Sequence, residues 1–130
     1  MKLSVLKEKH KNETRVAATP ETTKLLINLG FEIFIENEAG FNSGFSNQDY
    51  SSVGAKIADR NECLTNKDIC LVVQLPAIDD LSKISAGTIL IGMLNPYNNK
   101  EIIDQIKDYK ITTVCMELLP RISRSQSMDI

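Results

Sequence analysis

Two polar segments, one near each end of the chain, carry side chains suited to holding a polar ligand. The C-terminal segment follows an apolar run and spans residues 120–129, Pro-Arg-Ile-Ser-Arg-Ser-Gln-Ser-Met-Asp. Its arginines offer bidentate donors, its aspartate offers a carboxylate acceptor, and its glutamine and serines form adaptable hydrogen bonds. These groups can fix a polar ligand in one orientation, although polar chain ends are also commonly solvent-exposed tails. Both interpretations stay open from composition alone.

Arg15 is the candidate ligand-binding side chain of the N-terminal segment, residues 12–20, Asn-Glu-Thr-Arg-Val-Ala-Ala-Thr-Pro. A guanidinium at this point can clamp a ligand carboxylate or brace a loop. His10, the single histidine, lies between Lys9 and Lys11 and is expected to be solvated rather than to act as a general base. No Gly-x-Gly-x-x-Gly or Gly-x-x-x-x-Gly-Lys motif is present to cradle a pyrophosphate. We therefore expect this chain alone not to hold a dinucleotide tightly.

The composition is that of one ordinary soluble domain covering residues 1–130. The hydrophobic fraction is 42%, the charged fraction is 25%, and the formal net charge is -2. This charge provides no basic surface for nucleic acid, and no apolar run approaches the roughly 18 to 20 residues that span a bilayer. We expect no direct membrane insertion, no secretory signal, and a cytoplasmic location. The three cysteines are expected to be free thiols, and no metal site is expected.

Short apolar runs alternate with helical patterns along the whole chain, which predicts a single open, mostly parallel, doubly wound α/β sheet of the Rossmann-like or flavodoxin-like three-layer type. In the first helix, Thr19 is the expected N-cap, Gly30 the expected end, and Leu25, Leu26 and Leu29 the expected buried stripe. Strands are predicted at 3–6, 31–36, 55–58, 69–74, 88–94 and 111–116, and helices at 20–29, 47–53, 79–84 and 99–109. The loop after Met116 then leaves from a carboxyl end of the sheet, where such folds bind ligands.

The two polar segments together resemble one family. Lys7-Glu8-Lys9 followed by residues 12–20 is similar to the start of the alanine dehydrogenase and NAD(P) transhydrogenase superfamily. Residues 120–129 are similar to a loop of the transhydrogenase NAD-binding subunit. The resemblance runs along all 130 residues, but it covers only the first part of the family's soluble subunit. It implies a Rossmann NAD-binding domain that this sequence does not contain.

The resemblance also identifies a substrate-pocket remnant. In alanine dehydrogenases, an arginine at the position of Arg15 receives the substrate carboxylate, assisted by a lysine and a histidine. The positions of these two partners are occupied here by Gln74 and Asn95. Because neither amide ionises near neutral pH, neither can serve as an acid or a base. Amino-acid dehydrogenation by this sequence is therefore not expected.

The same resemblance assigns catalytic roles to Arg121, Gln126 and Asp129, in a loop that meets the nicotinamide of NAD at the hydride-transfer junction. Arg121 and Asp129 would pair to fix the loop, and Gln126 would reach toward a second nucleotide on another subunit. The remaining cofactor-binding positions implied for this loop are Ile122, Ser123, Arg124, Ser127 and Met128.

The implied protein is the N-terminal fragment of the soluble NAD(H)-binding alpha subunit of a proton-translocating NAD(P) transhydrogenase. By resemblance, NAD(H) belongs to the complete subunit and NADP(H) to a partner subunit, and hydride transfer is coupled to proton translocation. The implied partners are the remainder of the alpha subunit, in a homodimer, and the membrane-embedded and NADP-binding components. The location would be cytoplasmic and peripheral to the inner membrane, and the isolated chain would be inactive.

Two alternatives remain from the sequence. The first is an alanine dehydrogenase-like amino-acid oxidoreductase with a rebuilt substrate pocket. The second is a non-catalytic assembly module from a split gene, which would join a separately encoded NAD-binding half. Turnover of pyruvate and ammonium by the full-length enzyme would favour the first alternative.

Overall fold

Six parallel strands form the sheet in the computed structural model, which describes residues 1–118. The strands are β1 (Lys2–Val5), β2 (Glu32–Glu36), β3 (Lys56–Ala58), β4 (Ile69–Gln74), β5 (Ile89–Met93) and β6 (Thr112–Cys115). The helices are α1 (Pro20–Asn28), α2 (Asn47–Ser52), α3 (Arg60–Leu64), α4 (Ile78–Leu81) and α5 (Lys100–Ile106). Short 3-10 helices occupy Phe41–Ser43, Lys107–Tyr109 and Met116–Leu118. None of the helices in the described residues is both long and apolar enough to cross a membrane.

The strand order is β3-β2-β1-β4-β5-β6, so the direction of winding reverses between β1 and β4. Helices α1 and α2 cover one face of the sheet, where the buried core includes Val5, Ile35 and Tyr50. The later helices cover the other face, where Leu64, Leu81 and Ile106 are buried. This arrangement confirms the predicted doubly wound fold, and its reversal point is where such sheets form a ligand crevice.

Helix α1 begins and ends where its sequence predicts. The Thr19 hydroxyl accepts a hydrogen bond from the Thr22 N–H at 3.1 Å, and Gly30 follows the helix with a φ of +105°. The predicted buried stripe is wrong, however, because Leu25 and Leu29 are 60% and 75% exposed. The face that packs on the sheet instead carries Thr23, Leu26 and Ile27. These residues are three or four positions apart and share a face, but the middle of α1 has leucines on both sides.

The other predicted elements lie close to their expected bounds, with one omission. Helix α2 has a capping box between Ser46 and Asp49, and Gly54 follows it with a φ of +108°. Strand β3 is an edge strand, as predicted. The sequence prediction missed α3, which has five residues and begins after Asp59, whose carboxylate accepts from the Glu62 N–H at 2.8 Å.

Glutamate side chains connect the strand ends along the carboxyl edge of the sheet. Glu36, at the end of β2, accepts from the Lys7 N–H at 2.6 Å. Glu8, just after β1, accepts from the backbone N–H groups of Val73 and Gln74 at 2.8 and 2.9 Å. The strand pairing of β4 with β5 is irregular between Leu71 and Gln74, which leaves these two groups to the carboxylate. The edge that carries the candidate site is thus held by charge-assisted hydrogen bonds.

Candidate functional site

A cavity of about 330 Å³ opens at the carboxyl ends of β1, β4 and β5, beside the point where the strand order reverses. We call it the switch-point cavity. Its walls are apolar where they reach the core, and the buried residues among them are Leu6, Val72, Leu75 and Pro76. Its polar lining includes the side chains of Gln74 and Asn95, two of the three predicted substrate-pocket residues. The cavity therefore combines a hydrophobic floor with a small number of amide groups.

Arg15, the third of these predicted residues, joins the site through Glu13 rather than by lining the cavity. Its Nε and Nη2 each donate to a different carboxylate oxygen of Glu13 at 2.9 Å, and its backbone N–H donates at 2.9 Å as well. The Gln74 Nε2 donates to Glu13 Oε1 at 2.6 Å. Glu13 is buried, while the Arg15 side chain is 66% exposed. The structure thus brings Arg15 and Gln74 together on one carboxylate.

The charge state of Glu13 follows from these contacts. The hydrogen bonds from the Arg15 side chain, then from the Gln74 amide and the Arg15 N–H, lower the pKa of Glu13 to about 2. The carboxylate is therefore ionised near neutral pH, and it can only accept hydrogen bonds. Glu13 is unsuited to proton transfer, and its role here is to hold Arg15 and orient Gln74.

Glu8 lies in the same loop but has the opposite electrostatic environment. Burial raises the pKa of Glu8, and the hydrogen bonds from Val73 and Gln74 oppose that change. Nearby negative charge from Glu13 raises the pKa further. Because both oxygens of Glu8 accept from the backbone of β4, this carboxylate serves the strand end rather than a ligand.

Asn95 follows β5 in a left-handed backbone conformation, with a φ of +49°, which asparagine adopts more readily than most residues. The Asn95 N–H donates to Glu117 Oε2 at 2.7 Å, and the Leu94 N–H donates to Glu117 Oε1 at 3.1 Å. Glu117 belongs to the 3-10 helix that follows β6. This carboxylate fixes the end of β6 against the end of β5.

Arg60 is a second arginine at this edge, and no sequence pattern singled it out. Its side chain is 15% exposed and donates to Glu36 at 2.7 Å, to Asp80 at 2.8 Å and to the Lys7 carbonyl at 3.1 Å. Burial would lower the pKa of Arg60, but the hydrogen bond to Asp80 and the charges of both carboxylates raise it overall. Arg60 therefore remains charged and joins β2, α3 and α4 beneath the cavity.

The other predicted residues either have clear positions or lie outside the described residues. His10 is exposed, and its Nε2 is 2.8 Å from the Leu75 carbonyl oxygen. Within residues 1–118, no group of three His, Cys, Asp or Glu side chains is arranged to hold a metal ion. Outside this range lie all the predicted catalytic and cofactor-binding positions of the C-terminal loop: Arg121, Ile122, Ser123, Arg124, Gln126, Ser127, Met128 and Asp129.

Sequence reasoning missed four charged residues of this edge: Glu8, Glu13, Arg60 and Glu117. The signal for Glu13 was its position two residues before Arg15 in an irregular segment, since short-range acidic neighbours often hold an arginine. Glu117 gave a weaker signal, as an acidic residue just after a strand. Arg60 had none, because its carboxylate partners are 24 and 20 residues away in sequence.

Known proteins share both the sequence pattern and this fold. The family model described as the N-terminal domain of alanine dehydrogenase/PNT matches residues 4–130. The first of the two separate pieces of NAD(P) transhydrogenase subunit alpha in Rickettsia prowazekii is 41% identical over 99% of this chain and 35% of that protein. A transhydrogenase structure from Sinorhizobium meliloti superposes with a TM-score of 0.93, at 36% identity, over 99% of this chain and 39% of that one. An L-alanine dehydrogenase structure gives a TM-score of 0.88 at 25% identity, over 95% of this chain and 34% of that one. The chain thus spans about a third of the length of these relatives.

Proposed function

The chain belongs to the family of alanine dehydrogenase and transhydrogenase N-terminal domains, and from this premise we propose that it is the N-terminal part of an NAD(P) transhydrogenase alpha subunit. In the complete enzyme, hydride passes between NADH and NADP, and the transfer is coupled to proton translocation. Residues 1–130 form one domain of the NAD(H)-binding component and contribute a wall of the site. The isolated chain is inactive because the dinucleotide is held mainly by the remainder of the subunit.

The observation that carries this proposal is the neutral, amide-lined crevice at the end of β4. Gln74 cannot exchange a proton near neutral pH, and the carboxylate beside it, Glu13, is kept ionised by Arg15. Oxidation of an amino acid requires a group that accepts and returns protons. Hydride transfer between two nicotinamides requires orientation instead. The chemistry of the crevice therefore supports transhydrogenation over amino-acid dehydrogenation.

The contact made by Glu117 supports a role for the segment that follows β6. By binding the N–H groups of Leu94 and Asn95, Glu117 fixes the chain beside the cavity just before the loop of residues 120–129. Within that loop we propose that Arg121, Gln126 and Asp129 orient the nicotinamide of NAD(H). Their neighbours Ile122, Ser123, Arg124, Ser127 and Met128 line the same pocket.

The proposed assembly follows from the share of the relatives that this chain spans. The other two thirds would supply the rest of the alpha subunit, including its NAD(H)-binding domain, and the complete soluble subunit would be a homodimer. NADP(H) would be held by a separate component, and a membrane-embedded component would carry the protons. The chain would then lie on the cytoplasmic side, peripheral to the inner membrane.

The test is direct transfer of a labelled hydride by the native assembly. The assembly is captured from its source cells with an antibody against this chain and is supplied with NADP⁺ and NADH deuterated at the transferred position. We expect deuterium to appear in NADPH, measured by mass spectrometry, without dilution by solvent protons. An extract depleted with the same antibody serves as the control.

The same preparation separates the alternatives. Deuterated alanine formed from pyruvate, ammonium and the labelled NADH, with no label in NADPH, would replace the proposal with an amino-acid oxidoreductase. Absence of label from both products in an assembly that retains bound NADH would favour a non-catalytic module.

A further inference from the structure

We propose that the switch-point cavity binds a planar primary carboxamide, the group that nicotinamide presents, and that Gln74 selects it over a carboxylate. The choice of nicotinamide rests on the proposed function, whereas the preference for an amide rests on the orientation of side chains within residues 1–118. Nothing in the doubly wound fold by itself requires this preference. It depends on which atoms at the cavity wall can donate and which can only accept.

The orientation of the Gln74 amide is fixed by its partner. Glu13 is ionised at neutral pH and therefore only accepts, so the amide nitrogen of Gln74 must face it. The Gln74 carbonyl oxygen, Oε1, then remains as the group with which this side chain meets a ligand. Arg15 holds Glu13 by two parallel bonds and so keeps this orientation rigid.

Two further side chains of the lining are oriented by the same rule. The Asn99 Nδ2 donates to the Leu94 carbonyl at 2.9 Å, which leaves Asn99 Oδ1 as an acceptor. His10 Nε2 lies 2.8 Å from the Leu75 carbonyl, which can only accept, so the neutral imidazole carries its acceptor at Nδ1. Gln74, Asn99 and His10 all line the cavity. The wall thus presents three acceptors whose identity is set by backbone or carboxylate partners.

The charged groups of the lining disfavour the simplest ligand for acceptors, an ammonium ion. Lys7, Lys9 and Arg60 line the cavity on the β1 side and repel a cation. The acidic lining residues are already engaged, since Glu8 binds the backbone of β4 and Asp80 binds Arg60. A carboxylate ligand is disfavoured in turn, because it would place its oxygens against the three acceptors. A carboxamide avoids both conflicts, with its NH₂ toward Gln74 Oε1 and its oxygen toward the lysine side.

Size and position agree with this ligand class. A volume of about 330 Å³ lies at the lower end of the roughly 300–1,000 Å³ range of small-molecule sites. Leu6, Leu75, Pro76 and Ile102 provide apolar surface against which an aromatic ring can lie. The cavity is also at the reversal point of the sheet, outside the strand carboxyl ends.

The test is a pair of titrations of the 130-residue chain, followed by ¹⁵N–¹H NMR. Nicotinamide and nicotinate have nearly the same shape and differ in the amide or carboxylate that they present. We expect nicotinamide to bind with a dissociation constant of about 1 mM and nicotinate to bind at least about tenfold more weakly, the difference expected from one mismatched hydrogen bond. The shifts should fall on the amides of residues 6–10, 74–77 and 95–102. Equal affinities, or shifts that map elsewhere, would overturn the proposal.

Substitutions at Gln74 make the test specific. Gln74→Leu removes the acceptor and should weaken nicotinamide binding about tenfold, while Gln48→Leu, the same change at an exposed position of α2, should not. Gln74→Lys replaces the acceptor with a cation that can still pair with Glu13, and it should reverse the preference toward nicotinate. An unchanged preference in Gln74→Lys contradicts the role of Gln74. If Gln74→Leu does not fold, the two-ligand comparison on the unaltered chain still decides.

The outcome is independent of the proposed enzyme activity. Selective nicotinamide binding by the chain together with no hydride transfer by the captured assembly would retain the amide site and reject the transhydrogenase proposal. Hydride transfer by the assembly together with no amide preference in the chain would do the reverse.

Discussion

Two arginine clusters lie along the same carboxyl edge of the sheet, and they differ in how completely their charges are satisfied. Arg60 is 15% exposed and binds Glu36, Asp80 and a backbone carbonyl. Arg15 is 66% exposed and binds the single carboxylate of Glu13. Arg60 therefore has the contacts of a structural residue, whereas Arg15 keeps part of its guanidinium turned toward solvent, where a ligand can reach it.

The comparison shows that an arginine near a ligand crevice is not by itself evidence of ligand binding. A largely buried guanidinium between two carboxylates is costly to remove, because its loss leaves two negative charges in a poorly solvated environment. An exposed guanidinium on one carboxylate contributes little to stability, since water screens the pair. Stability and binding measurements should therefore separate the two clusters.

The largest expected effect on folding is that of Arg60→Ala. The unpaired Glu36 and Asp80 should lower the free energy of unfolding by about 3 kcal/mol, measured by urea denaturation at pH 7. The matched control is Arg15→Ala. A loss of similar size in both variants would show that the two clusters do not differ as proposed.

A third arginine, Arg121, is expected to affect catalysis rather than folding. In the complete enzyme, Arg121→Ala or Asp129→Asn should slow hydride transfer about 100-fold and change NADH affinity by less than about threefold, since the loop mainly orients the nicotinamide. Single-turnover hydride transfer and NADH titration measure the two quantities separately. Lys24→Ala, at an exposed position of α1, is the control. Unchanged transfer rates in both loop variants would remove this loop from the proposed mechanism.

Glu13→Gln should change how stability depends on acid. Because the folded-state pKa of Glu13 is lowered to about 2, its contribution is present above the usual pKa near 4.5 and is lost as pH falls toward 2. We expect the unaltered chain to lose about 1 kcal/mol over this interval through Glu13, a value limited by the exposure of Arg15. Urea denaturation at a series of acidic pH values should show a shallower slope in the variant.

Glu8→Gln provides the opposite comparison within the same loop. The folded-state pKa of Glu8 is raised, so its contribution is greatest at low pH and is lost as pH rises through the usual pKa toward the raised one. Its removal should therefore steepen the net acid dependence rather than flatten it. Equal slopes for the two variants would contradict the different environments of Glu8 and Glu13.

The smallest expected change is the effect of Arg15→Ala on stability at neutral pH, which should be close to the error of a urea denaturation experiment because water screens this exposed ion pair. Its more informative effect is local, because loss of the bidentate contact should raise the pKa of Glu13 from about 2 toward its usual value. An NMR titration of the Glu13 carboxyl carbon measures this directly. A pKa that stays near 2 would mean that Gln74 holds the charge without Arg15.

Local sequence signals predicted most of the fold because capping residues, glycines and β-branched runs act over a few positions. The predicted strand 69–74 matches β4, and Thr19 caps α1 as expected. The buried side of α1 was not predictable, since leucines occur on both of its sides and the sheet decides which are covered. Helix α3 was missed because five residues provide too little periodicity.

The candidate site was predictable only in part. Gln74 and Asn95 were selected by resemblance, and they line the same cavity, although their roles remain proposals. Arg15 was selected with two roles left open, and its contact with Glu13 could be expected from their separation of two residues. The contacts of Glu117 with Leu94 and Asn95 join residues more than 20 positions apart and had no local signal.

The sequence by itself determined the alternation of strands and helices, the helix ends, and the neutral side chains at positions 74 and 95. Only the tertiary structure decided which arginine is committed to the fold and which faces solvent. The partners of Arg60 lie 24 and 20 residues away and meet it because parallel strands bring their carboxyl ends to one edge. The orientation of the Gln74 amide has the same origin, since Glu13 lies 61 residues earlier and reaches it across β1 and β4. Contacts over such separations depend on strand order, which no short segment of the sequence encodes.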